Sequence, residues 1–147
     1  MKNLLQTLCG LFLVVFYSSC MNSGDNRVDV LIVGGGASGV TSGIQAARMG
    51  ANTLILEETT WLGGMLTSAG VSAVDGNYRL PAGLWGEFKN RLSDYYGGLD
   101  SLKTGWVSNV LFEPSVGNKI FHEMVSAEKN LKVWKQTRLE EVKRVGD

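Results

Sequence analysis

The sequence predicts an α/β protein in which parallel strands alternate with helices, and three observations support this prediction. A short apolar run, Val30–Val33, is followed directly by three glycines, Gly34–Gly36. A stretch with helical spacing comes next and ends before Gly50, and a second apolar run covers Thr53–Leu56. Strand, glycine turn, helix and strand in this order indicate a βαβ unit, in which the two strands lie parallel.

The first strand is expected to span Val28–Val33 and to be buried on both faces. It lacks a regular alternation of polar and apolar residues, as is typical of a parallel strand that is covered on both sides. The following helix is expected to face the sheet with Gly39, Gly43 and Ala47, because small residues at four-residue steps share one helical face. Gly50 is expected to end this helix.

The glycines of the first turn fit the G-x-G-x-x-G pattern of dinucleotide-binding sites at Gly34, Gly36 and Gly39. Gly34 would permit the tight turn, Gly36 would let a pyrophosphate approach the backbone, and Gly39 would let the helix pack close to the strand. The N–H groups that open the helix have no partners within it, so they favour an anion without help from Lys or Arg. Ser38 suits a phosphate contact, since its surroundings do not form the G-x-S-x-G nucleophile elbow.

An acidic residue stands at the end of the second strand, where dinucleotide-binding folds place one for the ribose. Glu57 follows Leu54–Leu56 at nearly the expected spacing from Gly34. A carboxylate at this point accepts hydrogen bonds from two ribose hydroxyls and repels a 2′-phosphate, which favours FAD or NAD over NADP. Glu58 is the competing candidate, and we favour Glu57 because the apolar run leads directly into it.

A second glycine pair, Gly63–Gly64, helps to distinguish between FAD and NAD. The segment Trp61–Thr67 reads WLGGMLT and resembles the turn that follows the second strand in FAD-dependent oxidoreductases of the glutathione-reductase superfamily. The resemblance implies FAD as the cofactor, with the backbone of the pair close to the diphosphate and flavin. The candidate cofactor-binding residues are therefore Gly34, Gly35, Gly36, Ala37, Ser38, Gly39, Glu57, Glu58, Gly63, Gly64 and Met65.

Two more helices and a third parallel strand are expected after the second glycine pair. Apolar and aromatic residues recur at helical spacing over Leu84–Tyr96, and we interpret this stripe as a core face in preference to the wall of a flavin or substrate pocket. Pro114–Lys129 has a proline in its first turn and one apolar face, which predicts a helix. Leu131–Trp134 is expected to be the third strand, Leu99–Val107 a surface loop, and residues 139–145 one more strand.

Residues 1–20 are expected to be a signal peptide and not part of the fold. Lys2 precedes the apolar run Leu8–Tyr17, which is too short to span a bilayer comfortably, and small residues then lead to Cys20. The segment resembles a bacterial lipoprotein signal, which implies export, lipidation of Cys20 and a lipid anchor in the cell envelope. Tyr17 stands where that motif has an aliphatic residue, so a periplasmic or secreted location stays open as the alternative.

The resemblance also predicts the domain organisation. Residues 21–27 are small and polar, and we interpret them as a tether between the anchor and the first strand. Proteins of the resembled family are considerably longer than this chain. We therefore expect residues 28–147 to form the N-terminal part of a Rossmann-like FAD-binding domain, and hence an incomplete domain.

Composition argues against several other classes of protein. The formal net charge is zero and no arginine-rich run is present, so nucleic acid is not an expected partner. Cys9 and Cys20 are the only cysteines, and Cys9 lies within the signal peptide, so no disulfide framework is expected. His122-Glu123 begins like the zinc motif H-E-x-x-H, but Ser126 replaces the second histidine, and no metal site is expected.

These features predict an FAD-dependent oxidoreductase, or its cofactor-binding part, that transfers a hydride from a small organic substrate to the flavin. No residue can be assigned as a catalytic acid or base from the sequence. Two alternatives stay open: a nucleotide-binding protein or truncated fragment without catalysis, and an NAD-dependent dehydrogenase. The glycine pair and the expected export both disfavour the second alternative.

Overall fold

The computed structural model describes residues 26–146, and its centre is a three-stranded parallel sheet with the strand order β1-β2-β3. Strand β1 is Val30–Val33, β2 is Thr53–Glu57 and β3 is Leu131–Lys135. The three strands are in register, since Val33 pairs with Leu56, which in turn pairs with Trp134. The predicted α/β class with a parallel sheet is therefore confirmed. The signal peptide, Cys20 and most of the tether lie outside the described residues.

Helix α1, Ala37–Arg48, connects β1 to β2 and packs on one face of the sheet through its small residues. A Cβ atom on Gly43 would lie only 2.7 Å from Cδ1 of Ile55 and 3.3 Å from Cδ1 of Leu131. Val40 and Ile44 on the same side of the helix are fully buried. The expected contact between the small-residue face and the sheet is confirmed, and Gly50 follows the helix end in a left-handed conformation with φ +94°.

Helices α2, Gly83–Tyr96, and α3, Pro114–Ser126, complete the core beside α1. The ring of Phe88 stacks on that of Phe121 with 4.5 Å between centroids, and it meets Phe112 edge to face at 5.5 Å. The core interpretation of the aromatic stripe is thus confirmed for Phe88, and α3 ends three residues earlier than Lys129.

The prediction that the first strand is buried on both faces is wrong. Leu31 is 47% exposed and Val33 is 58% exposed, while Val30 and Ile32, which point to the other face, are half-buried. The reason is the position of β1 at the edge of the sheet, with α1 packed on the opposite face. An uninterrupted apolar run does not reveal which of its faces a neighbour will cover.

Two further expectations about the second half of the chain also need correction. Residues 99–107 are not simply a surface loop, because Leu99–Leu102 forms a 3₁₀ helix whose Leu102 is fully buried. Residues 139–145 form no strand, because the chain leaves the β2 ladder just after β3. There the N–H groups of Gln136 and Thr137 donate to the carbonyl oxygens of Thr59 and Glu57.

Candidate cofactor site

The turn between β1 and α1 has the backbone geometry that its glycines allow. Gly34 has φ +98°, in the left-handed region that residues with a side chain rarely adopt. A Cβ atom on Gly39 would lie 1.9 Å from the carbonyl oxygen of Gly34, so only glycine lets the helix begin this close to the turn. These two glycines are therefore required by the fold itself.

Gly36 differs from its neighbours, because nothing within the described chain requires it to be glycine. Its φ is −63°, and a Cβ atom built on it would meet no atom within 4 Å. Gly36 is also the N-cap of α1, where no side chain caps the helix and no carboxylate lies in the first turn. The opening N–H groups of α1 thus have no capping side chain, and the positive end of the helix dipole lies behind them.

Glu57 ends β2 directly beside this turn. Its Oε2 accepts a 2.7 Å hydrogen bond from the Gly35 N–H, and its Oε1 accepts one of 2.7 Å from the Thr59 N–H. Burial opposes ionisation of the carboxyl, but hydrogen bonding from Thr59 and Gly35 outweighs burial and lowers the pKa of Glu57 below its ordinary value. Glu58 is exposed and lies 3.7 Å from Arg138, so Glu57 is the carboxylate that contacts the glycine turn.

The second glycine pair lies against the first turn. Gly63 forms a parallel bridge with Gly36, and its N–H donates a 2.8 Å hydrogen bond to the carbonyl oxygen of Gly35. A Cβ atom on Gly64 would lie 3.0 Å from Cα of Gly36. Both glycines have positive φ, +107° and +52°. The two glycine segments, which are separate in sequence, therefore form one continuous backbone surface at the start of α1.

The glycine pair is held in place by side chains that the sequence analysis did not select: Asn118 and Phe121 on α3, and Thr67 just after the pair. Oδ1 of Asn118 accepts a 2.9 Å hydrogen bond from the Leu62 N–H, and the Thr67 hydroxyl donates one of 2.6 Å to the Leu62 carbonyl oxygen. A Cβ atom on Gly63 would lie 2.6 Å from the Phe121 ring. No local sequence pattern marks Asn118, because its partner is far away along the chain.

A cavity of about 220 Å³ opens beside the first turns of α1. Met65 of the second turn is 69% exposed and does not line it. Trp85 of the aromatic stripe on α2 lines this cavity. Phe88 of the same stripe belongs to the core and also lines the cavity. The cavity is lined by Ala37, Ser38, Thr41, Leu66, Leu84, Trp85, Phe88 and Phe121.

The site therefore combines amide donors, a carboxylate and an apolar cavity, and it offers no acid or base at the cavity wall. None of the cavity-lining residues is titratable. Within residues 26–146, no group of three or more His, Cys, Asp or Glu side chains is arranged to hold a metal ion. In the same range, no helix combines the length and apolar character that crossing a bilayer requires.

Comparison with known proteins decides the family. A model of the FAD dependent oxidoreductase family matches residues 29–147. The chain belongs to this family. The matched range of the FAD-dependent oxidoreductase family includes both glycine turns, Glu57 and all three strands. No curated protein matches the chain significantly.

Matches among solved structures include three proteins, each with a TM-score below 0.5. The protein named THI4 from Thermovibrio ammonificans is 20% identical, with a TM-score of 0.45, over 88% of this chain and 45% of that one. The p-nitrophenol 4-monooxygenase PnpA from Pseudomonas putida DLL-E4 is 15% identical, with a TM-score of 0.44, over 80% and 34%. Histamine dehydrogenase from Rhizobium sp. 4-9 is 20% identical, with a TM-score of 0.39, over 75% and 11%. This FAD-dependent oxidoreductase family member thus spans less than half the length of each.

Proposed function

We propose that this chain binds FAD through the adenosine diphosphate part of the cofactor, as the cofactor-holding part of an oxidoreductase. The observation that carries the proposal is the bridge between Gly36 and Gly63, which joins two glycine segments into one backbone surface. Gly36 leaves room for a Cβ atom that no neighbour within the described chain would exclude. A diphosphate at this point would accept hydrogen bonds from the N–H groups that open α1, and the helix dipole would favour its negative charge.

Glu57 is proposed to bind the adenosine ribose. Each oxygen of an ionised carboxylate can accept about two hydrogen bonds. Each oxygen of Glu57 already accepts one from a backbone N–H, so each keeps one acceptor position for a ribose hydroxyl. The lowered pKa keeps the carboxylate charged at neutral pH, which disfavours a 2′-phosphate and hence NADP.

FAD, when bound, supplies the acceptor for a hydride from a small organic substrate. The contribution of this chain would be to bind and orient the cofactor and to exclude water from it. The exclusion of water suits the apolar cavity beside α1, which is lined by Trp85, Leu66 and Phe121 among others. No side chain in the described part of the chain is proposed as the catalytic acid or base.

A role in nucleotide binding without catalysis is the second candidate. It is favoured by the cavity, whose walls carry no titratable side chain. Electron transfer to an artificial dye, measured with FAD-loaded protein and a panel of small alcohols, amines and acids, separates the two functions. Substrate-dependent dye reduction supports the oxidoreductase, and its absence with stoichiometric bound FAD supports the holding role.

The binding proposal itself is tested by titrating the full chain with FAD, NAD and NADP and measuring heat or flavin fluorescence. We expect FAD to bind more tightly than NAD and much more tightly than NADP. Glu57→Gln should weaken FAD binding by about tenfold, since a hydrogen bond to a charged group is worth about 1.5 to 3 kcal/mol. Glu58→Gln is the matched control and should bind like the wild type. An equal loss of FAD affinity in both variants would show that Glu57 does not bind the ribose.

We further propose that the chain is exported and anchored by lipid on Cys20, on the basis of the signal-like residues 1–20 alone. Incorporation of a labelled fatty acid, followed by fractionation, tests this proposal. The wild type should carry label in the membrane fraction, and Cys20→Ala should carry none. An unlabelled wild-type protein in the soluble exported fraction would favour the periplasmic or secreted alternative.

A further inference from the structure

A second and larger cavity, of about 400 Å³, lies beside α2, and no residue of the glycine turns lines it. It is bounded by the segment before α2, by α2 itself and by the 3₁₀ helix Leu99–Leu102. It shares no lining residue with the cavity beside α1. Its walls contain three cationic side chains and two amides, and no carboxylate: Arg79, Lys89, Asn90, Lys103 and Asn109.

Lys89 is the central feature of this cavity, because it is a buried ammonium group without a carboxylate partner. The residue is only 5% exposed. Its Nζ donates to the carbonyl oxygens of Tyr78 at 2.6 Å and Leu80 at 2.7 Å. An ammonium group has three donors, so one remains without a protein acceptor among residues 26–146. A buried charge is unfavourable unless it is paired, and here no opposite charge lines the wall.

The other two cations leave the positive charge of the cavity largely uncompensated. Arg79 lies over the ring of Tyr78, with 5.4 Å from Cζ to the centroid, and it forms no ion pair within the described chain. Nζ of Lys103 lies 2.8 Å from the exposed carboxylate of Asp100, a pair that solvent weakens. A guanidinium offers a planar fork of donors, and an ammonium acts as a point charge.

We propose that this cavity binds a small anion through a carboxylate or phosphate group. The ammonium of Lys89 would meet the anion at the cavity wall, and Arg79 would bind two of its oxygens. Trp85 connects this second site to the cavity beside α1: its side chain lines that cavity, and its ring centroid lies 5.9 Å from Nζ of Lys89. The proposal does not depend on FAD binding, because no residue of the glycine turns takes part.

The alternative is that Lys89 only ties the loop at Tyr78–Leu80 to α2. Arg79 separates the two explanations, because its side chain has no hydrogen-bond partner in the described structure and is not needed for that tie. Arg79→Gln should therefore preserve the fold but weaken anion binding. Lys129→Gln is the matched control, since it removes one exposed positive charge outside the cavity lining.

The experiment is a calorimetric titration of the flavin-free full chain with succinate and with inorganic phosphate, at constant ionic strength with chloride as the reference. We expect one of the two probes to bind at one site per chain, which identifies the anionic group. Arg79→Gln should bind that probe about tenfold more weakly, with an unchanged melting temperature in chloride, because a charge-assisted bidentate contact is lost. Lys129→Gln should bind it like the wild type.

The proposal is overturned if neither probe binds above the chloride reference. It is also overturned if Arg79→Gln and Lys129→Gln weaken binding equally, since that result shows general charge attraction without a site. Lys89→Met provides a second check: it should abolish binding of the probe at temperatures where circular dichroism shows the variant to be folded. Retained binding in folded Lys89→Met contradicts the proposal. None of these readouts involves flavin, so their failure leaves the FAD proposal unchanged.

Discussion

The Gly35 N–H donates a 2.7 Å hydrogen bond to Oε2 of Glu57. This contact joins the turn that is proposed to bind the diphosphate to the carboxylate that is proposed to bind the ribose. The Thr59 N–H fixes the other carboxylate oxygen at the same distance. The side chain is therefore oriented before any ligand arrives, which lowers the ordering cost of binding.

Acid should destabilise the wild type more steeply than Glu57→Gln. The pKa of Glu57 is lower in the folded chain than its ordinary value, so its stabilising contribution is complete above the unfolded pKa and is lost as pH falls through the folded pKa. The urea midpoint measured between about pH 6 and pH 3 checks this, since carboxyls titrate near pH 4 when unfolded. Glu58→Gln should retain the wild-type slope. Parallel curves for wild type and Glu57→Gln would contradict the argument.

Alanine substitutions at Gly36 and Gly39 should distinguish a glycine that FAD binding requires from one that folding requires. Gly36→Ala should change the free energy of unfolding by less than about 1 kcal/mol, because an N-cap alanine is only moderately worse than glycine. It should still weaken FAD binding by about tenfold or more, since its methyl group enters the space proposed for the diphosphate. Gly39→Ala should destabilise the fold by about 3 kcal/mol, because its Cβ would overlap the Gly34 carbonyl.

Thermal or urea unfolding and an FAD titration are the measurements for both alanine variants. Ser42→Ala, on the exposed side of α1, is the control for changes in the helix. Unchanged FAD affinity in Gly36→Ala would place the diphosphate elsewhere.

Asn118 should act as a positioning residue for the second glycine pair. Asn118→Leu leaves the buried Leu62 N–H without its acceptor, which should cost about 1 to 3 kcal/mol of stability. FAD affinity, measured well below the unfolding transition, should also fall, because Gly63 is no longer held against Gly35. Asn118→Asp keeps the acceptor oxygen and should restore both quantities. Lys119→Gln on the same helix is the control, and a stability loss with unchanged affinity would assign Asn118 a purely structural role.

Arg48 on α1 forms ion pairs with Glu87 on α2 and with Glu128, which lies between α3 and β3. Its guanidinium donates to both carboxylate oxygens of Glu87, at 2.6 and 2.8 Å, and to Glu128 at 2.7 Å. A double-mutant cycle of Arg48→Met and Glu87→Gln should give a coupling of about 0.5 to 1 kcal/mol that decreases at high salt. Arg48→Lys should recover only part of it, because an ammonium cannot form the bidentate contact. A coupling that persists in about 1 M salt, where the Debye length falls to about 3 Å, would indicate packing instead.

The βαβ unit could be predicted because its determinants are close together in sequence. The contacts of Gly39 with the turn and of Gly43 with the sheet follow from spacing alone. The acidic residue at the end of β2 follows from the same spacing, and its side chain accepts a hydrogen bond from the first turn.

The remaining features depend on packing between distant segments. Asn118 reaches Leu62 only because α3 packs beside the turn, and Trp85 faces a cavity only because α2 lies beside α1. The exposure of Leu31 likewise depends on which face of β1 is covered, which an apolar run does not specify. Sequence patterns therefore predicted the three strands, the three α-helices and the first turn, but not the 3₁₀ helix Leu99–Leu102 or the contacts between distant segments.

The pairing order of the sheet has a consequence for how the chain folds. Val30 pairs with Thr53 across a short connection, whereas Thr53 pairs with Leu131 only after a long excursion of the chain. Closing the longer loop costs more entropy, and contacts between distant segments form more slowly. We therefore expect the first turn and Glu57 to assemble early, and Asn118 to arrive late with α3. The moment at which the refolding chain can retain flavin would then mark the last step of its assembly.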